Sequence, residues 1–137
     1  MSSEFSTNWY YLMYALETLP LDRIEKISCL LFSTNYESLQ AYGKKLFDYQ
    51  FIKSEDGIFS RALLTDLESL IRHQIIGFTS GLEYKTTTFG KKILKSALHD
   101  FSQLEDILCT LREIDFTARV KDFVLVRYAK EGNSVDI

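Results

Sequence analysis

One stretch of the chain, an amphipathic segment followed directly by a hairpin pattern, limits the possible folds more than any other feature. With successive residues placed about 100° apart, the leucines and the isoleucine of Arg61–His73 cluster within about 120° of arc, which predicts a helix with one apolar face. Ser60 stands immediately before this segment and is a suitable N-cap. Ile75–Phe78 and Leu82–Thr87 then predict two short strands, because glycine occurs in the turn between them.

The first third of the chain predicts two helices and an extended stretch. Asn8–Leu19 has the apolar spacing of a helix, which Pro20 ends. Apolar residues at intervals of three and four predict a second helix from Ile24, and the polar run Ser33–Tyr36 is expected to interrupt it. Phe47–Lys53 begins with alternating aromatic and polar residues, which favours a strand or an extended segment.

The part of the chain after the hairpin pattern predicts three more helices. The first begins near Thr87 or Thr88, and four of its apolar residues are expected to face inward: Phe89, Ile93, Leu94 and Leu98. The C-terminal helices lie within residues 102–131 and are expected to form a dimerisation or packing extension. Asn133–Ile137 is expected to be a frayed tail. No linker-like composition divides the chain, so residues 1–137 are predicted to form one domain with a single two- or three-stranded sheet.

The order of these elements is typical of a winged helix. Arg61–His73 takes the position of the recognition helix, and the wing covers about residues 75–87. The predicted fold class is therefore α+β, mostly α: a winged helix-turn-helix with extra N- and C-terminal helices.

The same segments resemble those of YwgA-like winged-helix proteins. Gly57–Leu70 (GIFSRALLTDLESL) is similar to the family's "YGPYS…L…DLE.L" stretch, and Ile75–Gly77 to the "GLI" that opens the wing. Tyr84–Leu94 resembles the closing "Y.LT..G..LL" stretch, with Thr86 in place of the leucine, and Arg23–Phe32 resembles the second helix. The more distant Panacea antitoxin domains share this layout. The resemblance covers about residues 21–98 and implies a winged-helix fold and a role as a regulator or antitoxin.

Charge is distributed unevenly along the chain. The net charge of −3 comprises −3 over residues 1–60, +3 over 61–95 and −3 over 96–137. The positive part coincides with the predicted recognition helix, the wing and the next helix. Guanidinium groups there could contact phosphates or guanine edges of double-stranded DNA, which predicts a transcriptional regulator. The candidate DNA contacts are Ser60, Arg61, Thr65, Ser69, Arg72, Lys85, Lys91 and Lys92.

A protein-interaction module of adaptor or antitoxin type, without DNA binding, is the alternative. Winged helices also bind protein partners, so the fold alone does not decide between the two functions. Aromatic residues in the first helix and apolar stripes in the C-terminal helices predict a homodimer or another protein complex. The candidate interface residues are Trp9, Tyr10, Leu104, Leu108 and Leu111.

Other functional classes find little support in the sequence. No nucleophile, phosphate-binding or dinucleotide motif occurs, so the chain is not expected to be an enzyme or to bind a cofactor. Cys29 and Cys109 stand among apolar residues and are predicted to be buried, reduced thiols of a cytoplasmic protein. His73 and His99 lack metal-ligand spacing, which predicts no metal site. No apolar run reaches the length of a membrane span, so a membrane partner is not expected.

Overall fold

The computed structural model describes residues 5–55, 57–127 and 132–135. This part of the chain contains six helices and five short strands, so the predicted α+β class with mostly helical structure is confirmed. The helices are α1 (Thr7–Thr18), α2 (Ile24–Tyr42), α3 (Arg61–Arg72), α4 (Thr88–Ser96), α5 (Ser102–Arg112) and α6 (Phe116–Arg127). The strands are β1 (Phe51–Ser54), β2 (Gly57–Phe59), β3 (Ile76–Phe78), β4 (Tyr84–Thr86) and β5 (Ser134–Val135).

Local sequence signals place the helix starts around the hairpin correctly. The hydroxyl oxygen of Ser60 accepts a hydrogen bond from the backbone N–H of Leu63 at 3.2 Å, and so caps α3. Thr87 caps α4 in the same way, through the backbone N–H of Gly90 at 3.0 Å. Between these two helices, β3 and β4 form the predicted antiparallel hairpin, with Ile76 opposite Thr86.

Two separate sheets are present in the described residues, so the expectation of a single sheet is wrong. β1 lies between β2 and β5 and is antiparallel to both, whereas β3 and β4 pair with each other. The expected frayed tail is also wrong for Ser134 and Val135. The Val135 side chain is buried opposite Phe51, and the backbone N–H of Lys53 donates to the carbonyl of Asn133 at 2.8 Å. Residues 136–137, and 128–131 at the predicted end of the last helix, lie outside the described residues.

α2 runs without a break for 19 residues, although its polar segment Ser33–Tyr36 predicted an interruption. Thr34 donates its hydroxyl hydrogen to the carbonyl of Leu30 at 2.8 Å, which satisfies the buried hydroxyl inside the helix. The Asn35 amide oxygen accepts from the backbone N–H groups of Leu46 and Phe47, and its amide nitrogen donates to the Phe47 carbonyl. These buried polar residues therefore hold the chain that follows α2 and do not end the helix.

α2 lies at the centre of the molecule and packs against α5, α6 and β2. Cys29 on its buried face is part of the core, and burial raises the pKa of its thiol to about 11. The prediction for Cys109 is wrong, because this residue lies on the exposed side of α5. Both cysteines are free thiols.

The β3–β4 hairpin is fixed to α1 and to the segment that follows it. The backbone N–H of Tyr84 donates to the carbonyl of Leu21 at 2.7 Å, which adds an isolated bridge to the outer side of β4. The Thr86 hydroxyl donates to the carbonyl of Met13 in α1 at 2.6 Å, and this bond is buried. α4 begins two residues after Thr86 and is thereby held beside α1.

We expect Gly90→Ala to destabilise the protein, because a Cβ atom there would lie 2.5 Å from the Ile75 carbonyl oxygen and 2.6 Å from Thr86 Cγ2. Overpacking of this kind costs about 1–3 kcal/mol, and the better helix propensity of alanine, about 1 kcal/mol, offsets only part of it. Gly81→Ala is the matched control, since its nearest atom would be 3.8 Å away. Urea denaturation measures both variants, and equal free energies of unfolding would contradict the close approach of α4 to the hairpin.

Candidate interaction surfaces

The outer face of α3 presents only part of the predicted DNA-contact set. Arg61, Thr65 and Arg72 are exposed, and Ser69 is partly buried. Ser60 is 2% exposed and its hydroxyl oxygen caps the helix, so this residue has no surface to offer a ligand. The prediction of Ser60 as a DNA contact is therefore wrong, because its side chain is already used to cap the helix.

Acidic groups balance the two arginines of α3. Asp66 and Glu68 belong to the same helix as Arg61 and Arg72, so its formal charge is zero. Beside the N-terminal half of α3 lies an open groove of ≈ 730 Å³, and its lining includes Asp66 together with Asp48 from the segment before β1. The predicted recognition helix is therefore bordered by carboxylates, which repel phosphate groups.

Tyr49 holds Asp66 in place at the edge of this groove. The buried Tyr49 hydroxyl donates a hydrogen bond to Asp66 Oδ2 at 2.6 Å. Burial, and then the neighbouring carboxylate, raise the pKa of Tyr49 above the ordinary tyrosine value. The tyrosine therefore stays protonated and keeps the Asp66 side chain fixed at this edge.

Glu17 of α1 engages two of the candidate lysines. Lys85 Nζ lies 3.2 Å and Lys91 Nζ lies 3.5 Å from the same oxygen, Glu17 Oε1. Lys85 also donates to the Glu17 backbone carbonyl at 3.4 Å. The third candidate, Lys92, is exposed and is not in any ion pair within the described ranges. Glu17 therefore offsets one of the two positive charges that it contacts, and the Lys85 and Lys91 ammonium groups are both held at its carboxylate.

An apolar groove of ≈ 530 Å³ lies between the start of α1 and α4, and we call it the α1–α4 groove. Its lining consists of Phe5, Tyr10, Phe89, Ile93, Ser96, Ala97, Leu98 and His99. Phe89 is 55% exposed and Leu98 is fully exposed, so the expectation that both face inward is wrong. Phe89 points outward because its neighbour Gly90 packs against the hairpin. Leu98 is exposed because it lies beyond the end of α4, which ends at Ser96.

The predicted interface residues divide into two groups. Tyr10 lines the α1–α4 groove, where its ring lies 4.4 Å from that of His99, and the partly buried Trp9 packs against Phe5 at 5.2 Å. The second group is buried in the core of the chain itself and offers no surface to a partner: Leu104, Leu108 and Leu111. The apolar stripe of α5 packs within the chain and is not available as an interface.

Sequence analysis did not identify the α1–α4 groove, although one signal for it is present. Phe89, Ile93 and Ser96 recur at helical spacing, and they form a face distinct from the one that carries Gly90 and Leu94. Only the packing of Gly90 against the hairpin reveals which of these two faces is covered.

Comparison of the chain with protein-family models, curated proteins and solved structures finds no match. None of the described helices is long and apolar enough to cross a membrane. Within the same residues, no group of three or more His, Cys, Asp or Glu side chains could hold a metal ion. The shape and charge of the two surfaces are therefore the basis for proposing a function.

We expect Tyr49→Phe to lower the free energy of unfolding by about 1.5–3 kcal/mol at neutral pH, because a hydrogen bond to a charged group is lost. Since the folded-state pKa of Tyr49 is raised, its contribution is complete below pH 10 and declines as the pH rises further. Urea denaturation between pH 7 and pH 11 measures this, with the exposed Tyr42→Phe as control. Equal stability of the two variants at neutral pH would contradict the bond.

Proposed function

We propose that the chain is a winged-helix protein-interaction module of adaptor or antitoxin type, which binds its partner through the α1–α4 groove. The order of elements supports the winged-helix assignment: α1, the bridge residue Leu21, α2, α3, and then the β3–β4 hairpin. In this arrangement Leu21 supplies a third strand position beside β4. The β1–β2 hairpin lies between α2 and α3 as an insertion.

The exposure of Phe89 and Leu98 beside an apolar groove is the observation that carries this proposal. Phe89 is 55% exposed and Leu98 is fully exposed. Contact of such large apolar side chains with water is unfavourable, so covering them with a partner's surface would contribute favourable free energy to binding. The floor of the groove is already formed by Tyr10 and Ile93, so a partner would meet a preformed site. Grooves of this kind typically accept the apolar face of a helix.

DNA binding as a transcriptional regulator is the second candidate function. Arg61, Thr65 and Arg72 favour it, since all three are exposed on the helix that a winged helix places in the major groove. The neutral charge of α3 and the pairing of Lys85 and Lys91 with Glu17 oppose it. A protein partner therefore has the stronger support.

We expect Leu98→Glu to weaken partner binding about tenfold or more, equal to about 1.4 kcal/mol, because a carboxylate would be placed against an apolar contact. The partner is first captured from lysate of the source cells with wild-type protein and identified by mass spectrometry. It is then purified, and isothermal titration calorimetry gives the dissociation constants.

Leu125→Glu is the matched control, because Leu125 is also exposed, at 71%, but lies on α6. Equal affinity for wild type and Leu98→Glu would overturn the assignment of this groove, and so would equal weakening by both variants.

Light scattering over a concentration series tests the predicted homodimer. If wild type has twice the monomer mass and Leu98→Glu has the monomer mass, a second copy of the chain is the partner that occupies the groove.

We expect wild-type protein to give no gel shift with a pool of genomic duplexes at low salt. Binding that falls steeply with added salt, and is lost in Arg61→Ala with Arg72→Ala, would instead establish the second candidate. Glu17→Gln tests whether the internal ion pairs matter for DNA binding, since it removes the carboxylate that Lys85 and Lys91 share. Stronger binding by Glu17→Gln than by wild type would show that the internal ion pairs suppress a DNA surface.

A further inference from the structure

The charged residues of α4 are all basic, and one of them lies beside the α1–α4 groove. The charged side chains of this helix are three lysines, Lys91, Lys92 and Lys95, and it contains no acidic residue. Lys91 faces Glu17 at 3.5 Å. Lys92 and Lys95 are exposed, and no ion pair involves them in the part of the chain that the structure describes.

Helical spacing places Lys92 at the rim of the groove. This residue is three positions after Phe89 and four before Ser96, so it shares their side of the helix. Lys95 is six positions after Phe89, which is about 120° around the helix, so it lies on the outer side of α4 and away from the groove. Asp100 is the nearest acidic residue along the chain, and its Oδ1 accepts hydrogen bonds from the N–H and hydroxyl of Ser102 at the start of α5.

The dimensions of α4 limit the length of a bound segment. Nine helical residues extend about 13 Å at 1.5 Å per residue. A partner helix lying along this distance would present apolar side chains from about two and a half of its turns. Phe89 and Leu98 mark the two ends of the apolar contact.

We propose that the α1–α4 groove binds an acidic amphipathic helix of the partner protein. Its apolar face would cover Phe89 and Leu98, and an Asp or Glu residue beside that face would lie opposite Lys92. The inference rests on the proposed function, and it adds the charge and shape of the bound segment. A basic helix is disfavoured, because its charges would meet the unpaired Lys92 at the rim of the groove.

Three synthetic fluorescein-labelled helical peptides test this inference. They share one apolar face and carry glutamate, glutamine or lysine at the flanking positions, and fluorescence anisotropy with the full chain measures their affinities. We expect the glutamate peptide to bind up to about fivefold more tightly than the glutamine peptide at low salt, since an exposed ion pair with Lys92 contributes up to about 1 kcal/mol. The lysine peptide should bind most weakly, and added salt should reduce the differences.

Charge reversal on the protein supplies the matched comparison. Lys92→Glu should invert the order of the peptides, whereas Lys95→Glu on the outer side of α4 and Lys121→Glu on α6 should leave it unchanged. Circular dichroism and urea denaturation establish that each variant is folded.

Each outcome of the peptide experiment has a defined meaning. Inversion by Lys92→Glu alone supports the inference. If all three peptides bind equally well and Leu98→Glu abolishes their binding, the preference for an acidic helix is overturned. The groove would then still be the interaction site. Absence of binding by every peptide would overturn the helical ligand, and the calorimetry with the natural partner would then decide the proposed function separately.

Discussion

The hydroxyl of Thr86 donates one buried hydrogen bond to the carbonyl of Met13, and the position of the α1–α4 groove depends on it. A buried hydroxyl without a partner would cost about 1–3 kcal/mol, so this bond strongly favours the observed position of β4 on α1. α4 follows β4 after a single residue, and the same bond therefore holds α4 beside α1. The hydroxyl of Thr86 therefore has a definite structural role.

Elements with strong local signals could be predicted from the sequence. α3 has a capping serine and one clear apolar face, and the β3–β4 hairpin has a glycine-containing turn between two short strands. α2 was harder to predict, because the partners of Asn35 are backbone groups 11 and 12 residues further along the chain. β5 was missed for a similar reason, since burial of Val135 depends on pairing with the distant strand β1.

The surfaces were harder to predict than the fold, because charge and exposure depend on distant residues. Counting charges along the sequence gives residues 61–95 a net +3, which favours DNA binding. In the folded chain Glu17, which is 68 residues from Lys85, neutralises part of this segment. Likewise, the apolar pattern of α4 does not show which of its faces is covered. The close approach of Gly90 to Ile75 determines this and turns Phe89 toward solvent.

The pairing of β5 with β1 also has a consequence for the solution behaviour of the protein. A strand with an unpaired edge is a template for strands of other molecules, and natural sheets usually protect such edges. Here Ser134 and Val135 cover the side of β1 opposite β2. Detachment of this short segment would expose backbone donors and acceptors next to the apolar side chain of Phe51. Local opening at β5 would then expose the edge of the central strand β1 to pairing with another chain, without global unfolding.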